Sequence, residues 1–282
     1  MPKTEKAINT HQNQSKPCKL EMQGFFMDKF VATIKQFNIM EIYKGTGKTT
    51  TGTILLTKSI STIIIGSSLG FDELTTETIR VEVERANGSN FEITKGSMAL
   101  KDFILANTYG EDAITSDLAR SLDLVAVCEI CNDGSIHLFE KDVIKITLNS
   151  LIGAETYVLN GIEEPQTSTE IYSFEHKSMS ADDTNKDFNV SGYDICVLDK
   201  SSTIEEINYT FSNGQVVKYS LYELECMSKA TDPVAYVKTD GTIKSSFADK
   251  IQLPLFAVEN LNIRKVGGVG STVINLILRN HL

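Results

Sequence analysis

The chain has 282 residues, a formal net charge of −10, 41% hydrophobic residues and no tryptophan. That length accommodates one large domain or two of ordinary size, and the apolar share belongs to a folded chain rather than a disordered one. The acidic balance argues against a nucleic-acid surface as the main role, because phosphate binding needs clustered Lys and Arg and no such run occurs.

No apolar run of about 18 residues is present, so no membrane-spanning helix is expected. The N-terminal stretch "MPKTEKAINTHQNQSKPCK" has no apolar core, so no secretory signal is expected either. Cys18, Cys128, Cys131, Cys196 and Cys226 are odd in number and irregular in spacing. They point away from a disulfide framework and towards synthesis in a reducing cytoplasm.

Residues 1–28 are polar and aperiodic and read as an arm outside any core. The arm leans basic, with Lys3, Lys6, Lys16 and Lys19 against Glu5 and Glu21. Short β-like runs follow: "FVATIKQFNIMEIY" (30–43), "TGTILLT" (51–57) and "STIIIG" (61–66). Between the first two, Gly47-Lys48-Thr49 in "YKGTGKTTTG" ends like a phosphate-binding loop. The first glycine of that pattern falls on Ile42, and the residues that follow are rich in Thr and Ile. Those side chains favour a strand over the helix that a phosphate site needs, so Lys48 is expected on an exposed loop. "GSSLG" (66–70) places Ser68 in a nucleophile-elbow pattern, but "FDELTTETIR" after it does not read as the required helix. A serine-containing turn is expected instead.

"TIRVEVER" (78–85) alternates, with Ile79, Val81 and Val83 on one face and Arg80, Glu82 and Glu84 on the other, as a half-buried strand requires. Asn87-Gly88 then signals a hairpin. A helix is expected over 97–107, capped by Ser97, with Leu100, Phe103, Ile104 and Asn107 on one side. Strands resume at 122–131 and 135–140, joined by the turn Asn132-Asp133-Gly134. Cys128 and Cys131, in "CEIC", end the first of these. No second pair completes a zinc site, and buried cysteines, or one in and one out, are expected.

The pattern then recurs. "TIEEINYTFSNGQVVKYS" (203–220) has Ile207, Tyr209 and Phe211 alternating with polar residues and turns at Asn213-Gly214. A short helix (220–229) follows, with Ser220 and Glu223 as a capping box and Leu221 and Leu224 inward. Strand, Asn-Gly hairpin, strand and helix thus occur twice. Further strands are expected near 142–148, 154–160, 168–176, 193–198, 234–239, 250–263 and 271–279, and an exposed loop at 179–192. The glycine-rich "VGGVGST" (266–272) reads as a turn before the final strand. The resulting expectation is an all-β fold with a few short helices: two tandem β-sandwiches of jelly-roll type at 29–141 and 142–282, after the arm 1–28.

Nothing assembles into a catalytic, cofactor-binding or metal-binding set. His11, His137, His176 and His281 are scattered without an H-x-x-x-H pair. Glu163-Glu164 and Asp182-Asp183 read as solvated acids rather than a calcium loop. The N-x-[ST] matches at Asn13, Asn87, Asn189 and Asn208 carry no weight without a secretory signal.

"IRVEVERANGSNFEITKGSMALKDFILAN" (79–107) is similar to the first-roll hairpin and helix of the major capsid proteins of corticovirus-type phages, which are icosahedral and enclose a membrane. The second copy sits where that family's second roll would place its own. The resemblance implies a double jelly-roll coat protein, not an enzyme, located in the virion shell. It implies a homotrimer of pseudo-hexagonal outline meeting neighbouring capsomers, penton and minor capsid or membrane proteins. The arm would be a candidate for contact with the internal membrane, and no specific nucleic acid is implied. Two rival readings are a tandem carbohydrate-binding or adhesin module and a bicupin-like enzyme. The absent secretion signal and tryptophan count against the first, the scattered histidines against the second.

Overall fold

The computed structural model describes residues 38–107, 114–168, 170–231, 235–245, 250–266 and 272–281. The arm and the start of the first expected strand lie outside them. In chain order the first roll contributes β1 (Asn38–Thr46), β2 (Ile54–Leu56), β3 (Thr62–Ser67), β4 (Thr78–Glu84), β5 (Phe91–Glu92), β6 (Met98–Ala99), helix α1 (Leu100–Asn107), β7 (Ile114–Asp117) and β8 (Leu122–Glu129). After the short β9 (Cys131–Asn132) it is completed by β10 (Val143–Asn149) and β11 (Thr156–Glu163). The second roll runs through β12 (Glu170–Met179), β13 (Asn185–Asn189), β14 (Tyr193–Asp199), β15 (Ile204–Phe211), β16 (Val216–Tyr219) and helix α2 (Leu221–Thr231). It ends with β17 (Ala235–Val237), β18 (Ile243–Ser245), β19 (Lys250–Pro254), β20 (Val258–Lys265) and β21 (Ile274–His281).

Each roll is two antiparallel sheets face to face. The first has β1-β11-β3-β8-β7 over β2-β10-β4-β5, and the second has β19-β14-β21-β12-β9 over β13-β20-β15-β16. With the short β6, β7, β9, β17 and β18 set aside, each roll keeps eight strands joined in the same order: first, last, third and sixth in one sheet, second, seventh, fourth and fifth in the other. That is the jelly-roll connection, twice. The fold is a double jelly roll.

The boundary expected between 141 and 142 moves. β10 pairs with β4 and β2, and β11 with β1 and β3, so both close the first roll. The chain crosses to the second roll between Glu163 and Glu170. The last strands of a jelly roll return to pair with its earliest ones, a long-range pairing that local periodicity does not reveal. Residues 38–282 cluster as one compact unit.

Alternation places the core. Ile79, Val81 and Val83 point inward from β4, and Ile144, Ile146 and Leu148 from β10, all fully buried. In the second roll Ile207 and Tyr209 of β15 face Leu261 and Ile263 of β20. Both hairpins turn on glycine at positive φ, +83° at Gly88 and +79° at Gly214, where a side chain would be strained.

Three local expectations are corrected. The first helix starts at Leu100, not Ser97, because Met98–Ala99 pair with Thr78 and Ile79 and Leu100 N–H donates to Glu77 O at 2.8 Å. Sheet pairing takes the residues that a first helical turn would have used. Residues 135–140 form no strand: Ile136 points inward and His137 and Phe139 outward as their alternation suggests, but their backbone groups find partners singly, such as Pro165 O for Ser135 N–H at 2.8 Å. The loop expected at 179–192 contains β13, whose Phe188 is buried against the second core. α2 keeps its capping box, with Glu223 N–H donating to Ser220 Oγ at 3.3 Å and Ser220 N–H to Glu223 Oε2 at 2.7 Å.

Candidate functional site

The motifs singled out from sequence stay apart. Lys48 is exposed on the turn after β1, Thr50 bridges to Asn149, and no helix follows. Ser68 donates to Glu155 Oε2 at 2.6 Å and accepts from Thr156 N–H at 2.9 Å. It ties the end of β3 to β11, and the chain continues into a single 3-10 turn at Phe71–Glu73 rather than an α-helix. Cys128 and Cys131 are both buried. Burial pushes both thiols up, Cys131 to about 12, so neither is poised as a thiolate. His137 packs edge-on against Phe139 at 4.5 Å, and His176 Nε2 lies 3.2 Å from Asn275 Oδ1. Glu163 pairs with Lys58 at 3.0 Å, and Asp183 accepts from Ser180 N–H at 3.0 Å. His11, Asn13 and Cys18, with the centre of "VGGVGST", lie outside the described residues. Among those residues no group of three or more His, Cys, Asp or Glu is placed to hold a metal ion, and no helix is long and apolar enough to cross a membrane.

What the structure does build is a seam between the rolls. α1 leaves the first roll and lies on the outer face of the second roll's β14 and β21. β14 reads "YDICVLD", and its central run Ile195–Leu198 is buried on both faces. Cys196 and Leu198 point into the second core, while Ile195 and Val197, with Ile277 of β21, join the first. Phe103 of α1 meets Phe174 of β12 edge to face, centroids 4.9 Å apart. Backbone pairing continues across: Phe174 N–H donates to Ile93 O at 2.7 Å, Lys95 N–H to Phe174 O at 2.9 Å, and Tyr172 N–H to Ile130 O at 3.0 Å. β9 pairs with the start of β12.

Polar groups finish the seam. The last carbonyls of a helix have no partners within it. Here Leu105 O accepts from the Gln252 side-chain amide, and Ala106 O from Arg279 Nη1 at 3.3 Å. Arg279 is itself held by Asp194, Nε to Oδ2 at 3.0 Å. Lys250 Nζ lies 3.0 Å from Asp102 of α1 and 2.5 Å from Asp199 of β14, all three side chains largely withdrawn from solvent. Lys238 reaches back to Glu73 at 2.8 Å, and Thr239 N–H donates to Asp123 Oδ1 at 2.8 Å. Sequence reasoning missed Asp102, Lys250, Gln252 and Arg279. The available signal was polar residues set among apolar ones in the strings "LKDFILAN", "KIQLPL" and "INLILRN".

Asp142 anchors the irregular segment that precedes β10. Arg85 Nη1 donates to its carboxylate at 2.7 Å, and Ala86 and Phe139 N–H at 2.9 and 3.0 Å. The Arg85 hydrogen bond, then that of Ala86, hold its carboxyl down at about 2. A depressed carboxylate stabilises the fold above its unfolded value, near 3.9, and that contribution disappears as pH falls towards the folded one. Between about pH 4 and pH 2 the thermal midpoint of the wild type should therefore fall more steeply than that of Asp142→Asn. Parallel melting curves across that range would show that the anchor is not ionic.

Each roll also carries an exposed hollow. The outer side of the β1-β11-β3-β8-β7 sheet carries a groove of about 610 Å³ floored by Ile64, Val125 and Val158 and overhung by Leu118, which is 72% exposed. On the second roll, Tyr209, Phe211 and Tyr219 line a smaller hollow of about 150 Å³ beside Met227 and Phe256.

No protein-family model matches the chain, and no curated protein matches it by sequence. Among solved structures it is similar to the major capsid protein P2 of bacteriophage PM2, at 10% identity and a TM-score of 0.50, over 87% of this chain and 97% of that one. The mavirus major capsid protein aligns at 7% identity and a TM-score of 0.34, covering 99% and 93%. The PBSX exported protein XepA aligns at 9% and 0.23, covering 86% of each. The likeness expected from the hairpin–helix repeat is met at the level of the fold.

Proposed function

We propose that this chain is a structural coat protein, the major capsid protein of an icosahedral phage with an internal membrane, and that three copies close into a pseudo-hexagonal capsomer. The observation that carries the reading is the seam. Two independent binding modules on one chain need only a linker and a modest, polar interface. Here helix α1 is buried between the rolls, backbone pairing crosses the boundary, and both helix-end carbonyls are satisfied from the far side. Such a joint fixes the angle between two units of the same topology, as a tile in a closed ring requires. The similarity to the PM2 capsid protein supports the same reading. Neighbouring capsomers, penton and minor capsid or membrane proteins would be the partners. The arm, residues 1–28, would face a neighbour or the internal membrane, and the chain would reside in the virion after synthesis in the host cytoplasm.

Light scattering after size exclusion tests this. A species near three times 31.2 kDa is expected. A monomer that does not change with concentration or salt would overturn the capsomer reading. The second reading, a carbohydrate-binding or adhesin module, draws on the aromatic hollow of Tyr209, Phe211 and Tyr219, since aromatic faces stack on sugar rings. A monomer with saturable glycan binding that is lost in Tyr219→Ala would establish it.

A further inference from the structure

We infer that the groove on the first roll, lined by apolar side chains together with Glu41, Lys44, Asp117 and Arg120, is the seat for helix α2 of a second copy of this chain, which repeats between chains the contact that α1 makes within one. The inference rests on the coat-protein reading and supplies the surface through which copies join.

The argument is the internal repeat. Among the eight main strands of each roll α1 and α2 occupy the same place, α1 after β5 and before β8, α2 after β16 and before β19. α1 packs on β8 and β4 of its own roll, and α2 on β19 and β15, which are the same two positions. α1 then has a second set of neighbours, β14 and β21 of the other roll. Among the described residues α2 has no second set of comparable extent. Its Tyr222 is 73% exposed and its Met227 43% exposed.

The receiving face is duplicated in the same way. β14 and β21 are the third and last strands of the second roll, and their counterparts are β3 and β11. On the second roll this outer face, Ile195, Val197 and Ile277, is buried beneath α1. On the first roll the corresponding outer residues are Ile64 of β3 and Val158 of β11, and they floor the open groove. Ile39, from the adjoining β1, is 64% exposed at its edge. Among the described residues one chain thus carries one seated helix on one covered sheet, with a second helix and a second sheet of the same kind left uncovered. Seating the free helix on the free sheet of the next copy is a head-to-tail contact. Such contacts form rings when the rotation closes.

Native thiol chemistry tests this. Cys226 of α2 is free and exposed, whereas Cys128, Cys131 and Cys196 are buried. In a Cys18→Ser background, Ile64→Cys should let a short bis-maleimide join Cys226 of one chain to position 64 of the next. Covalent two- and three-chain species are expected on a denaturing gel, and Cys226→Ser should abolish them. Val216→Cys, on the opposite sheet of the second roll, should give none. Separately, Ile64→Lys and Tyr222→Lys should each weaken assembly at least about tenfold, as interface anchors do, with the β-type circular dichroism unchanged. If the unmodified protein is a trimer yet Ile64→Cys yields only monomer, or Val216→Cys yields the same ladder, the helix-in-groove contact is wrong while the capsomer reading survives. A monomeric wild type overturns both.

Discussion

Replacing Lys250 with methionine is expected to cost about 3–5 kcal/mol of stability, the loss typical when one member of a buried ionic cluster is removed. Its ammonium lies between Asp102 at 3.0 Å and Asp199 at 2.5 Å, with only 14% of the side chain exposed. Burial by itself would lower the Lys250 pKa, and the two carboxylates outweigh burial and raise it. A raised lysine stabilises the fold fully below its unfolded value, near 10.4, and that contribution fades as pH rises through the folded one. It is therefore fully present at neutral pH. Methionine keeps the volume and removes the charge, leaving the Asp102 carboxylate in a largely buried site without its ammonium partner. The measurement is the denaturant midpoint at constant slope. A second substitution separates charge from packing: Asp102→Leu added to Lys250→Met should recover part of the loss, since the unpaired carboxylate is gone. A loss below about 1 kcal/mol for Lys250→Met would mean that the cluster behaves as a surface pair.

The position of this cluster explains what the sequence could and could not say. The strands with one dry face were legible, because Ile79, Val81 and Val83 alternate with charged residues and only one pairing puts all three inside. The hairpins were legible from Asn87-Gly88 and Asn213-Gly214, and α2 from its Ser220–Glu223 box. These signals are local. The seam is not. Ile195–Leu198 reads as a buried strand in isolation, but nothing in four consecutive apolar residues says that one face meets its own roll and the other meets α1. Nothing local marks Asp102, to which β14 and β19 bring Asp199 and Lys250. β13 was missed because "NKDFN" places a single apolar side chain, Phe188, inward, too little for a period to be read. β10 and β11 were found as strands and given to the wrong roll, since their partners lie tens of residues upstream.

Truncating Phe103 or Phe174 to alanine is expected to cost about 3–5 kcal/mol each, the range for a large aromatic deleted from a packed core. Both rings are buried, and they belong to different rolls. If the rolls were separate domains with a surface contact, the loss would fall on one of two unfolding transitions. With the seam built as core, unfolding should remain a single transition that shifts as a whole. The double variant should lose less than the sum, by about 0.5–1.5 kcal/mol, because the edge-to-face contact at 4.9 Å is removed by either change alone. Additive losses would place the two rings in independent environments and remove the argument for a rigid joint. A rigid joint matters beyond stability. In the proposed assembly each chain would present α2 and the groove at one fixed angle, which the contact of Phe103 with Phe174 would help to hold. The alanine variants should therefore lower the yield of trimer even at temperatures where each chain is still folded. A loss of trimer that only tracks the unfolded fraction would separate folding from assembly and leave the seam with a stabilising role alone.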